Sequence, residues 1–311
     1  MPYFSVVIPL YNKELHIQKA LDSVLHQSFE DFEVIVVNDG STDNSETVVK
    51  SFKDDRISIY NVDNGGPSRA RNFGVSKATS ELIAFLDGDD YWKPHHLEDL
   101  KNLYEEFPGC GLYAKAYDRE SKHYVTKSIY KDIPDNNWKG IVNDFFHNSM
   151  NNCIAHTSAI MIPKQIFDEL NGFNENFDSG EDTDLWIRAA LHYPVAFHNK
   201  VSSVYRIELT ESLTSKSISK WRLFDLNAYK NSEVENKSLK AYLDLNRLSL
   251  AFQYKMAGFS KESSELIDAI DNDNISKAQR LLLSFPSWLL KLLLSTRNKL
   301  RLLNVDFRLF K

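Results

Sequence analysis

Cysteine is scarce in this chain: two in 311 residues, Cys110 and Cys153, far apart and without metal-type spacing. That excludes a disulfide framework and a cysteine-built zinc site, and it suits a reducing compartment. No apolar run approaches the roughly 20 residues that a membrane-spanning helix needs. Strand-like sequence begins at Phe4, leaving no basic segment followed by the apolar core of a secretory signal. A cytoplasmic address is therefore expected. No Gly-x-Gly-x-x-Gly follows the first apolar run, and Gly-x-x-x-x-Gly-Lys-Ser/Thr occurs nowhere. The dinucleotide-binding and P-loop readings thus lack their phosphate cradle. Positive charge is also thin over most of the chain. Residues 277–311 carry eight Lys and Arg against the single acid Asp306, a charge of +7, so a net −6 leaves −13 on residues 1–276. An acidic body argues against nucleic-acid binding and assigns the basic tail a separate task.

What is present is an alternation of apolar runs and helical patterns. Phe4 to Leu10, Phe32 to Val37, Ile57 to Asn61 and Leu82 to Leu86 read as strands that are apolar throughout and not half polar. A helical pattern follows each, and Pro94 opens the fourth helix. In the first, Asn12 is a candidate cap and Leu15, Ala20, Leu21, Val24 and Leu25 form the apolar side; in the second, Asp43 with Glu46 resembles a capping box. Strands of this kind imply an α/β fold, a parallel sheet covered by helices on both faces. Ligands of such sheets sit beyond the carboxyl ends of the strands. The polar motifs gather at those ends: Asp39, then Asn64 to Asn72, then Asp87 to Asp90. Further on, Leu112 to Tyr117 and Cys153 to Ile162 read as strands, and Glu181 opens a helix whose buried side is Leu185, Trp186, Ala189, Ala190 and Leu191.

The run Phe85-Leu-Asp-Gly-Asp-Asp-Tyr-Trp92 ends a buried strand in three carboxylates. Such crowded carboxylates need a compensating positive charge. A divalent cation supplies it, since Mg²⁺ and Mn²⁺ take hard oxygen ligands and bridge to substrate phosphates. A solvated Asp-Gly turn is the competing reading. Glu181, Asp182 and Asp184 form a second acidic cluster, which a helix N-terminus favours on electrostatic grounds alone.

Six motifs stand in order over residues 4 to 210: Ser5-Val-Val-Ile-Pro-Leu-Tyr-Asn12, Val37-Asn-Asp-Gly-Ser-Thr-Asp43, Asn64-Gly65 with Ala70-Arg71-Asn72, Asp87-Gly-Asp-Asp90, Gly172-Phe173, and Glu181-Asp182 leading to Leu185-Trp186 and Arg188. Together they resemble glycosyltransferase family 2, the inverting nucleotide-sugar transferases of GT-A fold, whose Rossmann-like sheet is mostly parallel. The resemblance implies a site. Pro9 and Tyr11 would line the base pocket, and Asp39 would accept from the base, typically uracil N3–H. Arg71 would support that pocket, with Asp39 as its candidate partner. Asp87 would approach the ribose and diphosphate, and Asp89 would hold Mn²⁺ or Mg²⁺. Asp90 would be structural and Asp182 the general base, with Gly172, Phe173 and Glu181 near the donor or acceptor sugar. Relatives carry a histidine after a Tyr-Arg near residue 206; here Glu208 stands there, a candidate oxygen ligand in its place. His156 and His192 are read as structural.

The implied reaction is sugar transfer from a nucleotide-diphospho-sugar, a UDP-sugar by expectation, to a hydroxyl of a glycan or lipid-linked acceptor in cell-surface polysaccharide synthesis. A metal would stabilise the leaving diphosphate, and one base opposite it gives inversion. A sugar-nucleotide nucleotidyltransferase would place a basic glycine-rich loop where Tyr11-Asn12-Lys13 stands. A non-catalytic sugar-nucleotide-binding module would not need both acidic clusters. The expected division is 1–215 for the GT-A unit, 216–275 for a helical appendage and 276–311 for a basic amphipathic tail. Residues 285–303 mix Trp, Leu, Lys and Arg, the composition of a helix lying in an anionic membrane surface or packed on the protein with snorkelling basic ends.

Overall fold

The computed structural model describes residues 1–135, 137–207 and 221–302. The alternation begins as expected: β1 (Phe4–Leu10), α1 (Ile17–Leu25), β2 (Phe32–Asp39), α2 (Ser45–Ser51), β3 (Ile57–Val62), α3 (Pro67–Lys77) and β4 (Leu82–Phe85). These four strands are mutually parallel in the order β3-β2-β1-β4. Their carboxyl ends therefore share one edge, and Tyr11, Asp39 and Asp87 emerge side by side.

The residues of β1, β2 and β4 are almost all buried because both faces are covered, whereas β3, at the edge of the sheet, is partly exposed along its length. Phe4, Val6, Ile8 and Leu10 join Leu21, Val24 and Leu97 on the side of α1, whereas Val7, Ile35 and Phe85 join Ala70, Leu185 and Trp186 on the other. The period of two persists in direction but not in polarity, which is why the strands read as continuous apolar runs. Close approach of α3 to β1 requires Gly74, where a Cβ would lie 2.4 Å from Val7 Cγ1.

Beyond β4 the sheet becomes mixed. After β5 (Tyr91–Trp92) and α4 (His96–Glu106) come β6 (Leu112–Glu120), β7 (Val125–Lys127), β8 (Lys139–Ile141), α5 (Phe145–Asn148), β9 (Ile160–Pro163), α6 (Lys164–Glu169), α7 (Glu181–His192) and β10 (Val195–Arg206). The order continues β4-β9-β6-β10-β5, with β9 antiparallel to both its neighbours. Antiparallel β9 stands between β4 and β6, while α4 carries the chain from one to the other. The strand expected over Cys153 to Ile162 is shorter: Thr157–Ala159 forms a 3₁₀ turn, and only Ile160 onward enters the sheet. Ile154 and Ala155 are buried all the same, so their apolar character reports burial and not strand.

Two local expectations fail. Asn12 does not cap α1; it sits at φ +51° and its side chain accepts from the Thr42 amide at 2.8 Å, while Leu15 is 83% exposed. The Asp43/Glu46 capping box is half formed: Asp43 accepts from the Ser45 amide, but Glu46 turns to Asn61 and Lys50.

The C-terminal part is helical: α8 (Lys230–Glu235), α9 (Lys237–Ala257), α10 (Ser260–Asp268), α11 (Lys277–Ser284) and α12 (Ser287–Leu302). The first half of α9 packs on the sheet unit, with Leu239, Tyr242 and Leu243 in the main core beside α7 and β6. Its second half shares a smaller core with the later helices through Leu248, Phe252, Ile270, Ile275, Leu282 and Leu290. Buried Asp244 pins the arrangement, accepting from Arg247 Nη1 at 2.9 Å, the Asp271 amide at 3.0 Å and Asn274 Nδ2 at 2.8 Å. One stripe of α12 is buried through Leu290, while Trp288 and Leu292 face solvent at 65% and 56% exposure. No described helix is long and apolar enough to cross a membrane.

Candidate active site

The shared carboxyl edge of β1 to β4 opens on a hollow of about 460 Å³. Pro9, Tyr11, Asp39, Arg71, Asp87 and Asp89 all line it. Six residues spread over 80 positions thus meet at one concavity, because parallel strands end at the same edge.

Asp39 is 2% exposed and accepts from the amides of Gly65 and Gly66, at 2.8 and 2.9 Å. Burial pushes its carboxyl up, against the pull of those amides and of Arg69. Gly66 sits at φ +89°, which directs the loop back over Asp39. Asn64 Nδ2 closes the same loop on the Asp39 carbonyl at 2.8 Å.

Arg71 does not pair with Asp39. Its Nη2 donates to Asp87 at 2.7 Å and its Nη1 to Glu181 at 3.0 Å. The reason is geometric: Asp39 is already held by the glycine loop, whereas α3 turns Arg71 toward β4 and the start of α7. The side chain is 6% exposed and lies over the Phe173 ring, 5.1 Å from its centre. Burial opposes the charge, but the two carboxylates outweigh it and hold the guanidinium's pKa above its ordinary value. Burial and then the charge of Asp182 push Glu181 up.

Asp89 meets Lys13 Nζ at 2.6 Å. Asp90 is 1% exposed and accepts from Ser158 Oγ at 2.6 Å and the Arg206 amide at 2.9 Å. Burial, then the charges of Asp87 and Asp89, raise its carboxyl well above the usual range. Asp90 is thus a structural member of the cluster, as expected. Among the described residues no group of three or more His, Cys, Asp or Glu is arranged to hold a metal alone. The donor set still suits Mg²⁺ or Mn²⁺, which bind through one or two carboxylates plus substrate phosphates. An ammonium resting on Asp89 shows that this corner attracts a cation. Glu208 lies outside the described residues.

The second acidic cluster sits at the first turn of α7, beside the hollow. Gly180 precedes it in the left-handed conformation, and Asp182 Oδ1 accepts from the Thr183 amide at 2.6 Å. Glu181 couples this turn to the hollow through Arg71 and Asp87. Gly172, Phe173 and Glu181 do not line the hollow; they lie beneath it. Phe173 is 1% exposed and packs edge-on against Phe85 and Trp186. Asn72 clamps its backbone, donating to the Phe173 carbonyl at 2.8 Å and accepting from its amide at 2.9 Å. Gly172 has φ +59°, and a Cβ there would lie 2.7 Å from Asn72 Oδ1. These residues set the floor under Arg71.

The sequence reading gave no site role to Lys13, Phe177 or Asp178. Lys13 follows Tyr11 at the β1 end, the one basic residue of that turn, and this position was its available signal. Phe177 and Asp178 close the hollow from a loop 88 positions beyond Asp89, with Arg222 holding Asp178. His156 lies between the rings of Tyr117 and Tyr205, and burial lowers its pKa against the charges of Asp87 and Asp182.

Known proteins resemble this chain in sequence and in fold. The model of glycosyl transferase family 2 matches residues 5–169, more than half of the chain. An uncharacterized glycosyltransferase of Rickettsia typhi is 30% identical over 206 residues, covering 64% of this chain and 62% of its own. The glycosyltransferase GlyA of Streptococcus pneumoniae is 34% identical over 140 residues, covering 42% of this chain and 20% of its own. The chain thus spans less than two thirds of the length of these relatives. Among solved structures, S. aureus TarS residues 1–349 in complex with UDP superpose with a TM-score of 0.57 at 19% identity, covering 91% of this chain and 75% of that one. The complex with UDP-GlcNAc gives 0.59 at 18%, covering 90% and 86%. The structures agree in fold, and the family model covers the strand ends from which the hollow is built: the chain belongs to glycosyl transferase family 2.

Proposed function

We propose that this chain is a metal-dependent, inverting glycosyltransferase that moves a sugar from a UDP-sugar to a hydroxyl of a glycan or lipid-linked acceptor in cell-surface polysaccharide synthesis. One observation carries the reading: Pro9, Tyr11, Asp39, Arg71, Asp87 and Asp89 converge on one hollow, and the Asp87–Arg71–Glu181 chain ties it to the turn that bears Asp182. The binding of UDP and UDP-GlcNAc by TarS, a protein of the same fold, supports a uridine donor.

In this reading Pro9 and Tyr11 flank the base, and Asp39 accepts its N–H with lone pairs left over from the glycine amides. Asp87 faces the ribose and diphosphate, held in place by Arg71. Asp89 would hold Mn²⁺ or Mg²⁺ in the place that Lys13 occupies, and such a metal would supply charge neutralisation for the departing diphosphate. Asp182 takes the proton of the acceptor hydroxyl, whose oxygen attacks the anomeric carbon from the face opposite the diphosphate. The C1–O bond to the new sugar forms as the C1–O bond to phosphate breaks, with inversion. Phe173 and Gly172 act through Arg71 as a floor. The catalytic unit in this reading is 1–215, with 216–275 as a helical appendage and 276–311 as a basic tail. The exposed edge of α12, Trp288 and Leu292 beside Lys291, supports peripheral contact with the inner membrane face.

The test is Asp182→Asn. The expected outcome is unchanged UDP affinity with transfer reduced by about 10²-fold or more, the usual worth of a positioned base. Transfer within tenfold of wild type would refute the role of Asp182.

A further inference from the structure

Two hollows outside the donor site meet along one face of α9. The smaller, about 140 Å³, starts at Gly180 and Thr183 in the first turn of α7 and runs to Asn246. The larger, about 380 Å³, extends from there between α9, the Met150–Asn151 turn, Gln279 of α11 and Leu294 of α12. Ser249 and Gln253 line both, so the two form one groove. Asn246, Ser249 and Gln253 are spaced three and four apart and share one helical face, about 10 Å long.

One end of the groove lies next to Asp182 in the chain: Thr183 lines it and donates its amide to Asp182 Oδ1 at 2.6 Å. The start of α9 lies close by: burial first, then the charges of Cys153 and Asp182, raise the Tyr242 phenol, and Asn246 Nδ2 donates to the Tyr242 carbonyl at 2.8 Å. The walls are rigid, since buried Asp244 and Arg247 fix α9 from behind.

The chemistry of the lining selects the occupant. Charged residues make up 26% of the chain, yet none of the described residues lining either hollow is ionisable. A phosphate- or uronate-bearing chain would lose its hydration there without a counter-charge. An acyl chain would strand the amide groups of Asn151 and Gln253 and the Ser249 hydroxyl. Amides and hydroxyls both donate and accept, which suits sugar hydroxyls, and the Leu, Met and Phe surface between them suits the C–H faces of sugar rings.

We propose that this groove binds the acceptor, and that the acceptor is a neutral oligosaccharide whose terminal hydroxyl reaches Asp182 while its preceding residues lie along Asn246, Ser249 and Gln253. The proposal deepens the reading given above and rests on Asp182 as the base.

The experiment uses the full chain, fluorescently labelled, on a printed array of neutral, uronate-bearing, phosphate-bearing and acyl-linked glycans. Ser249 is exposed, so Ser249→Trp fills the groove without entering a core; Gln253→Ala removes an amide without adding bulk. The expected result is retention on neutral glycans alone, weakened at least tenfold in Ser249→Trp and measurably in Gln253→Ala. A parallel calorimetric titration with UDP reports whether each variant keeps its fold and donor site. Retention only on anionic glycans or acyl chains, neutral binding unmoved by both variants, or no glycan bound at all would each overturn the proposal. Neutral binding lost in the variants, with UDP bound by none of the proteins, would uphold the groove and sink the donor reading instead.

Discussion

Replacing Arg71 with Met keeps much of the side-chain volume and removes the charge that joins the two halves of the site. In the native protein the guanidinium is 6% exposed between Glu181, 12% exposed, and Asp87, 27% exposed. Breaking a buried ion pair from one side costs about 3–5 kcal/mol, because the remaining charge is stranded. Asp87 can turn partly to water, so the stranded group that matters is Glu181, and the lower end of that range, about 3 kcal/mol, is expected. The pH dependence has a definite sign. Glu181 already has its carboxyl pushed up by burial and Asp182, and without Arg71 only its own backbone amide opposes them. An acid whose folded pKa lies above its unfolded value adds stability below the unfolded value and loses it as pH rises through the folded one. The deficit of Arg71→Met relative to wild type should therefore shrink between pH 8 and pH 5. Adding Glu181→Gln removes the stranded charge and should recover about half the loss at pH 8, by the same range. Urea denaturation at several pH values measures all of this. A deficit under about 1 kcal/mol, a deficit independent of pH, or no recovery in the double variant would refute the buried triad as the link.

Gly172→Ala meets both a left-handed backbone, worth about 1–2 kcal/mol, and a contact at 2.7 Å with Asn72 Oδ1. Gly258 has φ +89° with open space around a Cβ, so Gly258→Ala isolates the backbone part. Urea midpoints should place Gly172→Ala clearly below Gly258→Ala; equal losses would show that the floor under Arg71 yields freely. For the tail, flotation with anionic vesicles should carry the wild-type chain and lose several-fold of it on joint Trp288→Ser and Leu292→Ser substitution. No flotation of wild type would leave α12 with a packing role alone.

The first four strands and their acidic ends were legible because each signal is local. Runs such as Val34 to Val37 can only be buried, and a parallel sheet then fixes where Asp39 and Asp87 must emerge. The partners of Arg71 were not legible, since Glu181 is 110 residues away and the choice between Asp39 and Asp87 depends on the turn of α3. Asn12 has the right identity for a cap but a different use, because Asn also tolerates the left-handed conformation that the turn requires. The stretch from Cys153 was read as too much strand for a related reason: a buried loop and a buried strand present the same apolar residues, and only the backbone pairing separates them. The tail gave two readings, and α12 has features of both, with Leu290 buried and Trp288 exposed.

The central claim is a uridine donor site built at the strand ends with metal held by Asp89. Calorimetric titration of UDP and GDP, with and without Mn²⁺, against wild type and Asp89→Ala tests it most directly. The account predicts UDP binding that exceeds GDP binding, strengthens with Mn²⁺ and loses that metal dependence in Asp89→Ala. UDP failing to bind at any metal concentration, or binding equally with and without Mn²⁺ in both proteins, would contradict it.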